Sequence, residues 1–369
     1  MIAGLAAVGA STDEAASGLF ALCLVVGVIS IVMTWWLRIP ISFAWSTPGA
    51  ALLIAAGQNT NNFNAAVGAF VVCALLIVLC GLWPALGRAI TRIPKPIASA
   101  MLAGILFPIC IAPVQASVEL PLLALPIVLT WLILFRLAPR WAVPGAMVVA
   151  IIAIAVSAGS DWISNASLAP QLTFVAPEFD PFVILSVGLP LFVVTMAGQN
   201  VPGIVVMSTF GYSVPPRATL VGSGIASGAG AVFGGHVINL AAITAAIMAS
   251  PEAHPRKEKR WIASFTAGFS YILLGLGAGV ATALVSASPP ILIVAVAGLA
   301  VLGALITSVT SALDDPHHRV AAIATFLVVA SGIVVLNIGS AFWGLLVGGI
   351  VMAWLSWARR PKESHERVH

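Results

Sequence analysis

Charge is what this sequence has least of. Of 369 residues only 8% are Asp, Glu, Lys or Arg, while 60% are hydrophobic and the mean hydropathy is +1.10. A water-soluble chain of this length would need far more charge on its surface, so lipid must be the solvent for most of it. Cysteine is also scarce. Cys23, Cys73, Cys80 and Cys110 all fall in apolar runs and lack the close pairing of a disulfide framework or a metal site. No phosphate-binding Walker loop, HExxH helix or nucleophile elbow occurs, which argues against an enzyme and calls for no metal or cofactor. The basic balance, pI near 9.1, carries no aromatic-interleaved patch of the kind nucleic acid requires.

What is present is apolar length. Runs such as Leu19 to Leu37, Ala65 to Leu86 and Ile262 to Val285 have the roughly 17–25 residues that a crossing demands, and they do not alternate as barrel strands do. The spans read as 19–37, 40–57, 63–86, 94–113, 119–136, 142–159, 181–208, 216–233, 235–250, 261–285, 290–312, 319–336 and 339–358. Ahead of them lies an apolar stub too short to cross, read either as a half-helix or, in preference, as the remnant of a first span whose upstream half is absent.

Charge then sorts by side. With Asp13 and Glu14 outside, every second loop is internal, and those loops hold Arg38; Arg88, Arg92 and Lys95; Arg136 and Arg140; Arg217; Arg256 to Arg260; Arg319; and Arg359 to Arg367. All 16 Lys and Arg face one side, while the other side carries the acids Asp13, Glu14, Glu119, Asp161, Glu178 and Asp180. This complete positive-inside bias places the C-terminus in the cytoplasm. The stub has no charged leader region, so no secretory signal is expected.

Two of the spans are broken. "IPISFAW" is extended and leads into "STPGAALL", where Ser46 or Thr47 is positioned as N-cap and Pro48 as the first helical residue. "GGHVI" leads into "NLAAITAAIM", with Asn239 as the expected N-cap. Each is a strand followed by a half-length helix. They occupy matching places in halves 1–160 and 181–358, divided by an external segment, with 359–369 as a cytoplasmic tail. Seven spans per half make the halves inverted repeats. Unpaired backbone persists at membrane depth only beside protein or a water-filled cavity, so the two breaks predict a central site where half-helix N-termini meet head-on. An anion suits such a site.

The stretches "FAWSTPGAALL" (43–53), "PIASAMLAGILFPI" (96–109), "MAGQNVPGIVVM" (196–207) and "GGHVINLAAITAAI" (234–247) resemble the bacterial benzoate:proton symporters of the BenE type. That family is similar in fold to nucleobase transporters and to the sulfate and prestin-like anion transporters. The resemblance implies an all-α polytopic protein of 14 spans in seven-plus-seven inverted repeats, with core and gate domains. It places substrate among spans 1, 3, 8 and 10 of an inner-membrane protein that forms a homodimer. The broken crossings are then spans 3 and 10, with "MAGQNVPG" on span 8.

Within that frame the candidate residues each carry two readings. Gln199 and Asn200 either knit helices together or donate to a carboxylate, and Pro202 with Gly203 loosens the helix so that backbone can approach a ligand. His236 is a structural residue or, with no acid clearly inside a span, the leading proton-coupling group; Glu252 is a second candidate, and a weak-acid substrate can carry its own proton. Phe43 and Trp45 share a strand face and either pack or stack on an aromatic ligand. Ser46 and Thr47 can cap the half-helix, bind the ligand, or both. "GSGIASGAGAVFGG" imitates a dinucleotide loop but reads better as small residues, Gly224 and Gly228 among them, that let helices approach. "DDPHHR" reads as solvated loop. The reading is a carrier that imports benzoate or a related aromatic carboxylate with a proton. Another anion, a nucleobase or a channel in the same fold are the alternatives, and a purely structural membrane protein would bind none of these.

Overall fold

The computed structural model describes residues 1–57, 60–83, 94–158 and 169–357. Arg88, Arg92, Asp161 and the tail 359–369 lie outside the described residues. In order the elements are α1 (Ile2–Ala7), α2 (Thr12–Leu37), β1 (Phe43–Trp45), α3 (Thr47–Ala56), α4 (Phe63–Leu82), α5 (Lys95–Glu119), α6 (Pro121–Leu137) and α7 (Ala142–Ala158). The second half continues with α8 (Pro181–Thr209), α9 (Pro216–Ala231), β2 (Ile238–Leu240), α10 (Ala242–Ala249), α11 (Trp261–Gly275), α12 (Ala278–Ser286) and α13 (Pro290–Leu313). It ends with α14 (Arg319–Ala330), a β3–β4 hairpin (Val334–Val335 and Ile338–Gly339) and α15 (Ser340–Trp357).

Six of the described helices are long and apolar enough to cross a membrane, and a seventh crossing forms if α11 and α12 are taken together. Large apolar side chains crowd the outside, with Leu122 89% and Val156 79% exposed, as expected where lipid is the solvent. The expected crossing 261–285 is not one straight helix: α11 and α12 meet at 53°, at the Leu276-Gly277 turn, where Gly275 and Gly277 weaken the helix. The expected span 319–336 is also shorter, because Gly332 adopts a left-handed φ of +65° just after α14. Leu336 and Asn337, both at positive φ, then form the tip of the β3–β4 hairpin.

Helix pairs repeat across the two halves. α2 packs on α11 and α4 on α9; α3 packs on α1 and α10 on α8; and α5 packs on α13. Small residues make these approaches close. A Cβ on Gly27 would lie 2.6 Å from the Gly268 carbonyl oxygen, and one on Gly224 2.9 Å from that of Ala74. The glycine-rich stretch through Gly222 is therefore helical up to Ala231, with Gly224 at a helix contact, and Gly228 makes only ordinary van der Waals contact. In the "DDPHHR" turn, His318 lies 2.7 Å from Asp315, a hydrogen bond that holds this carboxyl below its ordinary pKa. The acids of the opposite end cap helices: Glu14 completes a capping box with Ser11, Asp180 caps α8, and Glu178 accepts from Asn62 at 2.8 Å.

Candidate functional site

The two extended legs find each other. β1 and β2 pair antiparallel with Phe43 opposite Leu240, Ala44 opposite Asn239 and Trp45 opposite Ile238. One further bond closes each end, Ser46 N–H to the Val237 carbonyl at 3.0 Å and Ala241 N–H to the Ser42 carbonyl at 2.9 Å. The backbone polar groups freed by the two breaks thus satisfy one another inside the protein, which is what allows them at this depth.

This pairing corrects two expectations. The half-helix N-termini do not touch, because the legs run past one another and the ladder separates them. The caps Ser46 and Ala241 sit at opposite ends of the ladder, four residues apart along β1 or ~13 Å at ~3.3 Å per residue. Asn239 is not an N-cap. The ladder holds it extended through Leu240, and α10 begins only at Ala242 with Ala241 as its cap. The side-chain Nδ2 of Asn239 is buried without a partner among the described residues. On the other leg Ser46 is the cap, accepting from Gly49 N–H at 3.1 Å, and Pro48 is the second helical residue rather than the first.

The half-helices differ at their free ends. In α3 the first-turn amides are nearly used up, because Gly49 is capped and Pro48 has no N–H, so Thr47 alone is left. In α10 the cap is an alanine with no side-chain acceptor, and the amides of Ala242, Ile243 and Thr244 have no partner among the described residues. Ile243, in this first turn, is 78% exposed, so this end lies at the protein's surface.

α8 braces both legs. Thr195 Oγ1 shares a 3.0 Å hydrogen bond with Ser46 Oγ, and Asn200 Oδ1 accepts from the Leu240 amide at 2.9 Å. Gly203 lets this helix press on β2, since a Cβ there would lie 2.8 Å from that of Leu240. The helix widens into π turns at Ile184–Gly188 and Met196–Asn200, each two residues before a proline, Pro190 and Pro202, whose missing N–H removes an ordinary helical bond. Gln199, in the second π turn, is half-buried, and its side-chain amide makes no hydrogen bond among the described residues.

His236 is fully buried, packed edge-on to Phe70 at 6.4 Å. Its Nδ1 lies 2.8 Å from the Val237 carbonyl, which can only accept, so Nδ1 carries the hydrogen and Nε2 is a bare acceptor with no partner among the described residues. Phe43 is fully buried among Leu22, Val26 and Met207 and is a packing residue here, whereas Trp45 keeps some exposure and meets Tyr271 edge-on at 5.7 Å. Thr47 is exposed. Glu252 is not part of this cluster; it lies beyond the far end of α10, exposed and 3.7 Å from Arg140. The sequence reading missed Thr195, although a lone hydroxyl one helical turn before Gln199 shares its face and signals it.

Comparison with known proteins agrees with this architecture. The model of the benzoate membrane transport protein family, BenE, matches residues 1–354. The inner membrane protein YdcO of Escherichia coli is 42% identical over 346 residues, covering 93% of this chain and 87% of that one. The benzoate membrane transport protein of Acinetobacter baylyi is 35% identical over 341 residues, covering 92% and 86%. Among solved structures, the murine Solute Carrier 26 family member A9 anion transporter in its inward-facing state aligns at TM-score 0.60 and 14% identity, over 96% of this chain and 67% of that one. The transmembrane domain of the cyanobacterial bicarbonate transporter BicA aligns at TM-score 0.54 and 16% identity, over 95% of both chains.

Proposed function

The chain belongs to the benzoate membrane transport protein family, and from that premise we propose that it imports benzoate or a closely related aromatic carboxylate together with a proton, by alternating access. The observation that carries this reading is the open N-terminus of α10. Three amides unpartnered among the described residues and the positive end of a helix dipole, held at an exposed break, suit a carboxylate. Because the caps are ~13 Å apart, one carboxylate engages α10 alone, and Gln199 adds a donor. Trp45, Ser46 and Thr47 mark the other end of the ladder and receive the ring.

Proton coupling falls to His236, whose Nε2 is a buried acceptor without a donor among the described residues. The repeated pairings, α2 on α11 with α4 on α9 and α1 on α3 with α8 on α10, support reading 1–160 and 181–358 as seven-span inverted repeats. In that arrangement the ladder, its half-helices and α8 move as one body against a gate of α5–α7 and α13–α15, in an inner-membrane homodimer with a cytoplasmic C-terminus.

The solved neighbours favour one other reading, since both are named as carriers of anions: transport of an inorganic anion such as bicarbonate through the same site. Reconstituted proteoliposomes separate the two. An inward proton gradient is expected to drive accumulation of labelled benzoate, abolished by a protonophore and competed by other aromatic carboxylates. Bicarbonate or sulfate uptake without benzoate uptake would move the assignment to the second reading.

A further inference from the structure

The ends of α2 and α11 carry a feature the transport reading does not use. Arg38 is the residue after α2, held in the left-handed conformation with φ of 54°. Its guanidinium carbon lies 4.2 Å from the ring centroids of both Trp35 and Trp261, so two indoles hold it in one place. Aromatic faces satisfy the flat sides of a guanidinium and leave its N–H edge unanswered. Arg38 is exposed, and its guanidinium makes no hydrogen bond or ion pair to any described residue. Exposed Lys259 lies two positions before Trp261 and adds positive charge at the same end.

Below this cation runs an apolar strip. Trp35, Trp261, Phe265 and Phe269 touch in succession, with centroids 5.9 Å apart for Trp35 and Trp261 and 5.3 Å for Phe265 and Phe269. Trp36 is 66% exposed and Leu273, further along α11, 70%. From Trp261 to Leu273 the helix rises ~18 Å, close to the ~15 Å depth of one leaflet's hydrocarbon. A free anion would use the cation and leave the strip bare; a phospholipid uses both.

We propose that Arg38, clasped by Trp35 and Trp261, is a binding site for the phosphate of an anionic phospholipid, with an acyl chain along the Phe265–Leu273 side of α11. The guanidinium edge meets two phosphate oxygens, and the absence of a choline on the lipid leaves that charge uncompensated.

Native mass spectrometry of the full-length protein in detergent tests this with phosphatidylglycerol, phosphatidylcholine of the same chains, and inorganic phosphate. Phosphatidylglycerol is expected to be retained in preference to phosphatidylcholine, and Arg38→Gln to weaken that retention about fivefold, the usual contribution of one basic residue at a membrane surface. Arg217→Gln, removing an exposed arginine elsewhere, should leave it unchanged. Should Arg38→Gln fold poorly, Trp261→Leu keeps the charge but removes one face of the clasp, and it should weaken retention as well. Retention by either clasp variant equal to that of the unaltered protein would overturn the proposal. So would equal weakening by Arg217→Gln, or displacement of the lipid by inorganic phosphate.

Discussion

The two half-helices occupy matching places and are built differently. α3 starts at a serine whose hydroxyl closes on its own first turn, with a proline that has no amide to offer, and Thr195 steadies the serine from α8. α10 starts at an alanine that caps nothing and leaves three amides open beside an exposed Ile243. Two helix ends can share a position in a fold and still differ in capacity for an anion, because that capacity depends on how many donors remain unspent. In the proposed reading the polar end of the substrate therefore engages α10, and α3 serves as the wall.

The most direct way to break this asymmetry is to give α10 an anion of its own. Ala241→Asp places a carboxylate on the open amides, and a like charge ~4 Å from a bound carboxylate costs about 4 kcal/mol at an effective dielectric near 20. Benzoate uptake in proteoliposomes should fall by two orders of magnitude or more, while Ala241→Ser, a neutral cap, lowers it far less. Uptake undisturbed by the aspartate would remove α10 from the site.

Next in size is the brace. Asn200→Ala strips the acceptor from the buried Leu240 amide, which should destabilise the protein by about 1–3 kcal/mol; a lower thermal midpoint in detergent reads this out. Ser46→Ala is smaller, about 1 kcal/mol for a lost cap. It also frees the Gly49 amide and makes α3 resemble α10, so benzoate affinity by calorimetry should hold or rise as the melting temperature drops. A fall in affinity would mean that the serine itself holds the ligand. The smallest effect is expected from Glu252→Gln, since this exposed pairing with Arg140 is well solvated. Proton-driven uptake should keep its pH profile, and a shifted profile would transfer the coupling role from His236 to Glu252.

Much of this contrast was readable before the structure, and the reason is local chemistry. Ser46, Pro48 and Gly49 carry their helix-start signal within four residues, and "ISFAW" before them is rich in β-branched and aromatic side chains. Asn239 carried an equally good local signal and was overridden. Pairing with Ala44, almost 200 residues earlier in the chain, holds it extended through Leu240 and moves the helix start two residues on. No short-range pattern reports such a pairing or its register. The break at Leu276-Gly277 escaped for a related reason: "LLGLGAG" is apolar enough to read as continuous span, and hydropathy is blind to direction. Phe43 and Trp45 show a third limit. Alternation placed them on one face, but only packing against α2 and Tyr271 shows that one is sealed in the core and the other is not.

The β1–β2 ladder also sets the order in which the molecule can be made. Residues 43–45 leave the ribosome long before 238–240 exist, and their bare backbone has no acceptable home in hydrocarbon until then. The nascent first half must therefore wait at the bilayer surface or inside the insertion machinery with its second complete segment unseated. Final seating of that segment is a late event, triggered by synthesis of the other half.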